Sequence, residues 1–134
     1  MSTFTRNGVF NYVYNKVIVG FPNAYISSKY EPVVPSFPAV FIREISNFSN
    51  PSNVTFAGIQ DVWSSTFEVQ IQSNSANTPV SEAYGILEVV DRAFMNLCYV
   101  KSGVNVIDNG TNGTFRLTAT YRRITGAADE MPTE

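Results

Sequence analysis

From Val62 to Gln72 the residues Trp63, Ser65, Phe67, Val69 and Ile71 alternate with Val62, Ser64, Thr66, Glu68, Gln70 and Gln72. A period of two is the signature of a strand, because successive side chains leave a pleated backbone on opposite sides. One side is apolar and the other polar, so this strand belongs to a sheet covered on one face only. The pattern returns near the end of the chain, where Phe115, Leu117, Ala119 and Tyr121 alternate with Arg116, Thr118, Thr120 and Arg122. Two such strands require a layer that covers their apolar sides.

Helices supply that layer. From Thr78, Pro79 stands at a first helical position and Glu82 in the first turn, where a carboxylate suits the exposed amides. Ala83, Ile86, Leu87, Val90, Phe94 and Leu97 recur at three- and four-residue steps as the buried stripe, and Glu82, Glu88, Asp91 and Arg92 form the solvated side. A second helix is predicted over Thr5 to Val19 from Val9, Phe10, Val13, Tyr14 and Val17, with Ser2, Thr3 or Thr5 as its cap. Gly20, Pro22 and Asn23 end it.

Further strands are expected at Ala39 to Phe48 and Val104 to Ile107, with a short edge strand at Ala24 to Ser28. Pro32, Pro35 and Pro38 keep the intervening stretch out of any central strand, since each removes a ladder donor. Arg43 and Glu44 must point to opposite faces of their strand, so at least one reaches solvent or a partner. The fold class is therefore α+β, an antiparallel sheet covered on one face by two helices.

The segment Ser49 to Gln60 is long and polar, yet holds Val54, Phe56 and Ile59. It reads either as a hairpin connection that folds back on the core or as an arm that covers a neighbouring molecule. Residues 1–125 form one domain, as expected for a chain of 134 residues, and 126–134 a flexible acidic tail.

Composition excludes several chemistries. The chain has no His and one Cys, so Ser-His-Asp and Cys-His sets, a His-containing zinc site, a four-thiolate site and an internal disulfide cannot be built. Cys98, beside Phe94, Leu97 and Tyr99, reads as a small buried hydrophobe. The carboxylates are scattered over different faces, and no glycine-rich phosphate loop separates a strand from a helix. No cofactor and no metal are expected, and the chain does not read as an enzyme. A net charge of −2 argues against gripping phosphate backbones, and Arg116, Arg122 and Arg123 read as interface or salt-bridge residues. No apolar run is long enough to span a membrane, and Met1 to Arg6 has no secretory pattern, so the chain is expected to act without crossing a membrane by that route. Only 15% of residues are charged, which leaves a polar surface that opposes contact weakly.

The succession Tyr30-Glu31-Pro32-Val33-Val34-Pro35-Ser36-Phe37-Pro38-Ala39-Val40, a strand with Glu44 and Asn47, a strand from Phe67 to Gln72 ending in Ser73-Asn74, a helix with Ser81-Glu82-Ala83, Ile86 and Val90-Asp91, and Phe115-Arg116 before Tyr121-Arg122-Arg123 resembles the tail-terminator or tail-completion proteins of long-tailed bacteriophages. The resemblance covers roughly residues 27 to 125. Where that pattern leads one to expect a glycine-containing turn after the helix, this chain has Cys98-Tyr99-Val100.

The resemblance implies a structural virion protein of the neck, assembled in the host cytoplasm as a ring, commonly of six copies. The ring would sit on the tail tube protein, stop its growth, and present its other side to a head-tail connector or head-closure protein. DNA would only pass through its lumen. Val54, Phe56 and Ile59 in the long loop, with Arg43 and Arg122 on the sheet, are the expected partner contacts. Another connector or head-closure protein is the nearest alternative. A ferredoxin-like ligand-binding or enzyme domain is a further one, and a pocket lined by Glu44, Glu68 and Arg122 would favour it.

Overall fold

A computed structural model describes residues 4–29, 31, 34–49, 62–74, 78–109, 114–126, 129 and 131. The element order is α1 (Arg6–Gly20), β1 (Tyr25–Ser27), β2 (Ala39–Ser49), β3 (Val62–Ser73), α2 (Pro79–Asn96), β4 (Val100–Asn109) and β5 (Thr114–Gly126). The strands form one sheet in the order β1-β2-β3-β5-β4. Every pairing is antiparallel except β1 with β2. The α+β class holds, and the sheet is mixed rather than wholly antiparallel. The parallel contact arises because the proline-bearing stretch after β1 carries the chain back before β2 begins.

Both helices lie on one face. Helix α1 packs on α2 and reaches β2, and α2 spans β3, β5 and β4. Thr5 caps α1, its Oγ1 accepting from the Gly8 amide at 3.0 Å. Thr78 caps α2 by position without the side-chain bond, with Pro79 next. Between helices and sheet lies one core that includes Val13, Val17, Val40, Ile42, Phe67, Val69, Ile71, Ile86, Val90, Phe94, Leu117 and Tyr121. The whole predicted stripe of α2, from Ala83 to Leu97, is buried. Tyr12 joins the buried side of α1, where the sequence reading has Phe10 and Tyr14, and those two rings meet 5.9 Å apart along the flank. The centre of the core is aromatic. Phe94 stacks on Tyr121 at 4.3 Å, and Phe67 and Tyr99 stand against Phe94 at 5.8 and 5.2 Å.

Two sequence expectations change. The strand expected at Val104 to Ile107 runs from Val100 to Asn109, because a bulge between Lys101 and Gly103 lets β4 continue along β5 past Gly103. Cys98 is exposed rather than buried. It occupies the left-handed position after α2, with φ 63°. The Cys98 amide donates to the Met95 carbonyl at 2.9 Å and the Tyr99 amide to the Phe94 carbonyl at 2.9 Å. This Schellman pair turns Leu97 and Tyr99 inward and Cys98 outward.

At the domain's end Arg123 gathers both termini. It lies over the Phe4 ring at 4.0 Å, donates to the Leu97 carbonyl at 2.9 Å, and pairs with Asp129 at 2.8 Å. Asp129 also accepts from the Gly126 amide, and these bonds hold its carboxyl below the ordinary carboxylate range. Met131 packs against the core from the same side.

Candidate functional site

The side of the sheet away from the helices is set by the strand registers. Its rows run Ala39–Gln72–Arg116, Phe41–Gln70–Thr118–Asn105, Arg43–Glu68–Thr120–Gly103, Ser46–Thr66–Arg122–Val100 and Phe48–Ser64–Ile124. This open face is mainly uncharged and polar, as the alternation of β3 and β5 requires. Among the described residues it carries three arginines against one acid.

The two ends of that face differ. Toward Gln72, side chains bond to one another. Arg43 pairs with Glu68 at 2.6 Å, and Gln72 donates to Gln70 at 3.0 Å. Phe41 is buried with the edge of Tyr25 against it, their ring centroids 6.3 Å apart. The Tyr25 hydroxyl donates to Glu31, and that bond to a carboxylate raises its pKa. Arg116 Nε is buried with no hydrogen-bond partner among the described residues.

Toward Ser64 the face turns apolar. Phe48 is 68% exposed, Ile124 63% and Val100 70%. Arg122 lies between them and donates from Nε to Ser64 Oγ at 3.2 Å. A shallow depression of about 460 Å³ opens beside them, lined by Cys98, Val100, Ser102, Arg122, Arg123 and Ile124.

The residues singled out in the sequence therefore separate. Arg43 and Arg122 both lie on the open face, two strands apart and in neighbouring rows. Val54, Phe56 and Ile59 fall outside the described residues. Phe48, Ile124 and Val100, the apolar end of the face, were not singled out. The signal was present for Ile124, an apolar residue at a position the alternation of β5 assigns to the polar side; Phe48 and Val100 lie beyond bulges that shift the alternation of β2 and β4.

Glu44, Glu68 and Arg122 do not line a common pocket. Glu44 faces the helix side, where its Oε2 accepts from Ser65 Oγ at 2.7 Å and from Asn47 at 3.3 Å. Ser65 in turn accepts from the Tyr99 hydroxyl at 3.2 Å. Burial raises the Tyr99 pKa, and the Glu44 charge adds to that rise. This chain of bonds satisfies buried polar atoms at the end of the core. Glu68 is on the opposite face with Arg43. A further part-buried acid contact is structural too: Asp91 on α2 accepts from the Tyr121 hydroxyl and pairs with Lys101 at 3.0 Å. Burial, then the bond to Asp91, raises the Tyr121 pKa far above that of a free phenol. Among the described residues no cluster of three or more potential metal ligands occurs, and no helix is long and apolar enough to cross a membrane.

No protein-family model matches the chain, and no curated protein matches it. Among solved structures its fold is similar to that of the sheath/tube terminator of an extracellular contractile injection system, PVC, in the extended state. The TM-score is 0.50 at 11% sequence identity, over 100% of this chain and 62% of that one. The chain thus spans less than two thirds of the terminator it matches, and at this identity the likeness is one of fold.

Proposed function

We propose that this protein is a structural tail terminator: a ring-forming component that seats on the end of a phage or phage-like tail tube, stops its growth and offers a joining surface on its other side. The single observation that carries the reading is the one-sided sheet, helix-covered on one face and open on the other, in a fold similar over the chain's full length to a sheath/tube terminator. The order of sequence motifs supports it independently. The scattered acids agree, since Glu44, Glu68 and Asp91 each serve a structural contact rather than converging.

Physically, a closed ring ends growth because a heterologous interface repeated around an axis consumes its own complementary surfaces. The remaining free surfaces face along the axis, one toward the tube and one away from it. The partners are further copies of this chain, commonly six, then the tail tube protein, then a connector or head-closure protein. DNA passes through the lumen, the location is the neck of the virion, and assembly takes place in the host cytoplasm. No enzymatic step and no cofactor enter this role.

Light scattering of the purified protein, followed by negative-stain imaging with and without tail tubes, tests the reading. Discrete rings that cap tube ends are expected; monomers indifferent to tubes would overturn it. A deletion of Asn50 to Gly58 is expected to leave a folded monomer with impaired ring or tube binding. Loss of the circular-dichroism melt in that variant would make the segment part of the core instead.

A further inference from the structure

Two opposite charges stand at opposite ends of the sheet, and neither is in an ion pair among the described residues. Glu82, in the first turn of α2, accepts from Ser73 Oγ at 2.6 Å, at the end where β3 finishes. Arg122 donates to Ser64 Oγ near the start of β3. The ion pairs of the described residues are Arg43–Glu68, Arg92–Glu88, Lys101–Asp91 and Arg123–Asp129. From Ser64 to Ser73 the strand spans roughly 30 Å at its usual rise per residue, so Glu82 and Arg122 do not meet within one chain.

The surroundings of Glu82 form a receptor for a cation. It stands on the wall of a depression of about 300 Å³, with Gly20, Phe21, Pro22, Phe37 and Pro38. Helix α1 ends here without a basic residue in its last turn, and α2 begins nearby at Pro79. The carbonyl end of one helix offsets the amide end of the other, which leaves the charge of Glu82 as the net charge of the hollow. Aromatic rings, prolines and one carboxylate suit a cation on an apolar stem, above all a planar guanidinium, which bonds a carboxylate and stacks on rings. Arg116, at the same end of the sheet, does not supply it. It stands on the open face beside Gln72, across the sheet from Ser73 and Glu82.

Arg122 has the complementary setting. It is exposed, and it lies among Phe48, Ile124 and Val100, whose side chains are exposed as well. One end of the molecule therefore offers a guanidinium in an apolar setting, and the other a carboxylate in an aromatic hollow.

We propose that the Glu82 hollow of one copy receives the Arg122 side chain of the next, with the exposed Phe48–Ile124 row buried against its rim. The inference rests on the ring reading above and specifies its contact. Because the two sites differ and lie at opposite ends, each copy gives one and receives the other. The interface is heterologous, as a closed ring requires, and the charge pair fixes its register.

The test uses the full chain and reads, by light scattering, the concentration at which rings form. Arg122→Glu and Glu82→Gln are each expected to move that midpoint to concentrations at least about tenfold higher, while Arg122→Glu keeps the circular-dichroism melt of the parent. Glu82→Gln retains an acceptor for Ser73 and removes the charge. The exchange variant, Arg122→Glu with Glu82→Lys, is expected to return the midpoint to within about threefold of the parent. In parallel, Arg122→Lys treated with a carbodiimide is expected to give dimers joined by an amide between position 122 of one copy and Glu82 of another, located by mass spectrometry. Where the exchange variant loses its melt, this cross-link decides. Rings that cap tubes from every variant alike, with no such cross-link, would overturn the pairing and leave the terminator reading standing. Rings of Arg122→Glu that form at the parent's midpoint but no longer cap tubes would assign that end to the tube, which also overturns the pairing. A parent protein that stays monomeric with and without tubes would overturn both.

Discussion

The two faces of one sheet have opposite physics. On the helix face, β3 and β5 place Phe67, Val69, Ile71, Leu117, Ala119 and Tyr121 against Ile86, Val90 and Phe94, and every one of these is buried. On the other, the same strands present Glu68, Gln70, Thr118, Thr120 and Arg122. The first face holds the monomer together, because burial of apolar and aromatic area is the dominant favourable term in folding. The second adds exposed hydrogen bonds and one partly exposed ion pair, which contribute little to a single chain. Among the described residues the second face is polar and ends in an exposed Phe48–Ile124 row, so it is the helix face that carries folding and the open face that the proposed role would use.

That division can be broken most forcefully at Phe94, which touches Phe67, Tyr99 and Tyr121. Phe94→Ala is expected to cost about 3–5 kcal/mol in chemical denaturation. A cost near zero would mean that the helix face does not carry the fold. Asp91→Ala comes next, since it strands the Tyr121 hydroxyl and the Lys101 ammonium. A loss of about 1–3 kcal/mol is expected, partly recovered in the double variant with Tyr121→Phe, which removes the stranded hydroxyl.

A smaller effect of opposite sign sharpens the contrast where the chain passes from α2 to β4. Cys98 holds φ 63° with its side chain in solvent. Cys98→Gly removes the left-handed strain, offset by the greater freedom of glycine in the unfolded chain, for a net gain of about 0.5–1 kcal/mol in the denaturation midpoint. Any loss of stability there would show that the thiol makes a contact worth more than the strain. The least effect is expected on the open face. A double-mutant cycle on Arg43→Ala and Glu68→Ala should return about 0.2–1 kcal/mol of coupling in the monomer. A coupling of several kcal/mol would place this pair among the determinants of the fold and weaken the division between the faces.

Much of the helix face was legible in the sequence. The stripe from Ala83 to Leu97 and the alternation of β3 and β5 name the buried residues one by one, since period and burial are local consequences of backbone geometry. The Cys98 position was partly legible: the resemblance calls for a glycine-containing turn after α2, and the backbone there does adopt the conformation that glycine favours. Its exposure was not, because neighbouring apolar residues suggested a buried site and only the Schellman turn rotates Cys98 away from them. The extension of β4 before Val104 was hidden for a similar reason, since a bulge breaks the alternation by which strands are read.

Sequence alone thus determined which residues must leave water, hence the class of the fold, and by composition it removed histidine-containing sets, a four-thiolate site and an internal disulfide. Only the tertiary structure decided which strands are neighbours, that β1 joins parallel and covers just three residues of β2, and that Glu44 and Glu68 stand on opposite faces. The physical reason is that period depends on residues two to four apart, whereas strand order depends on contacts between residues tens of positions apart, for which a single sequence carries no local signal.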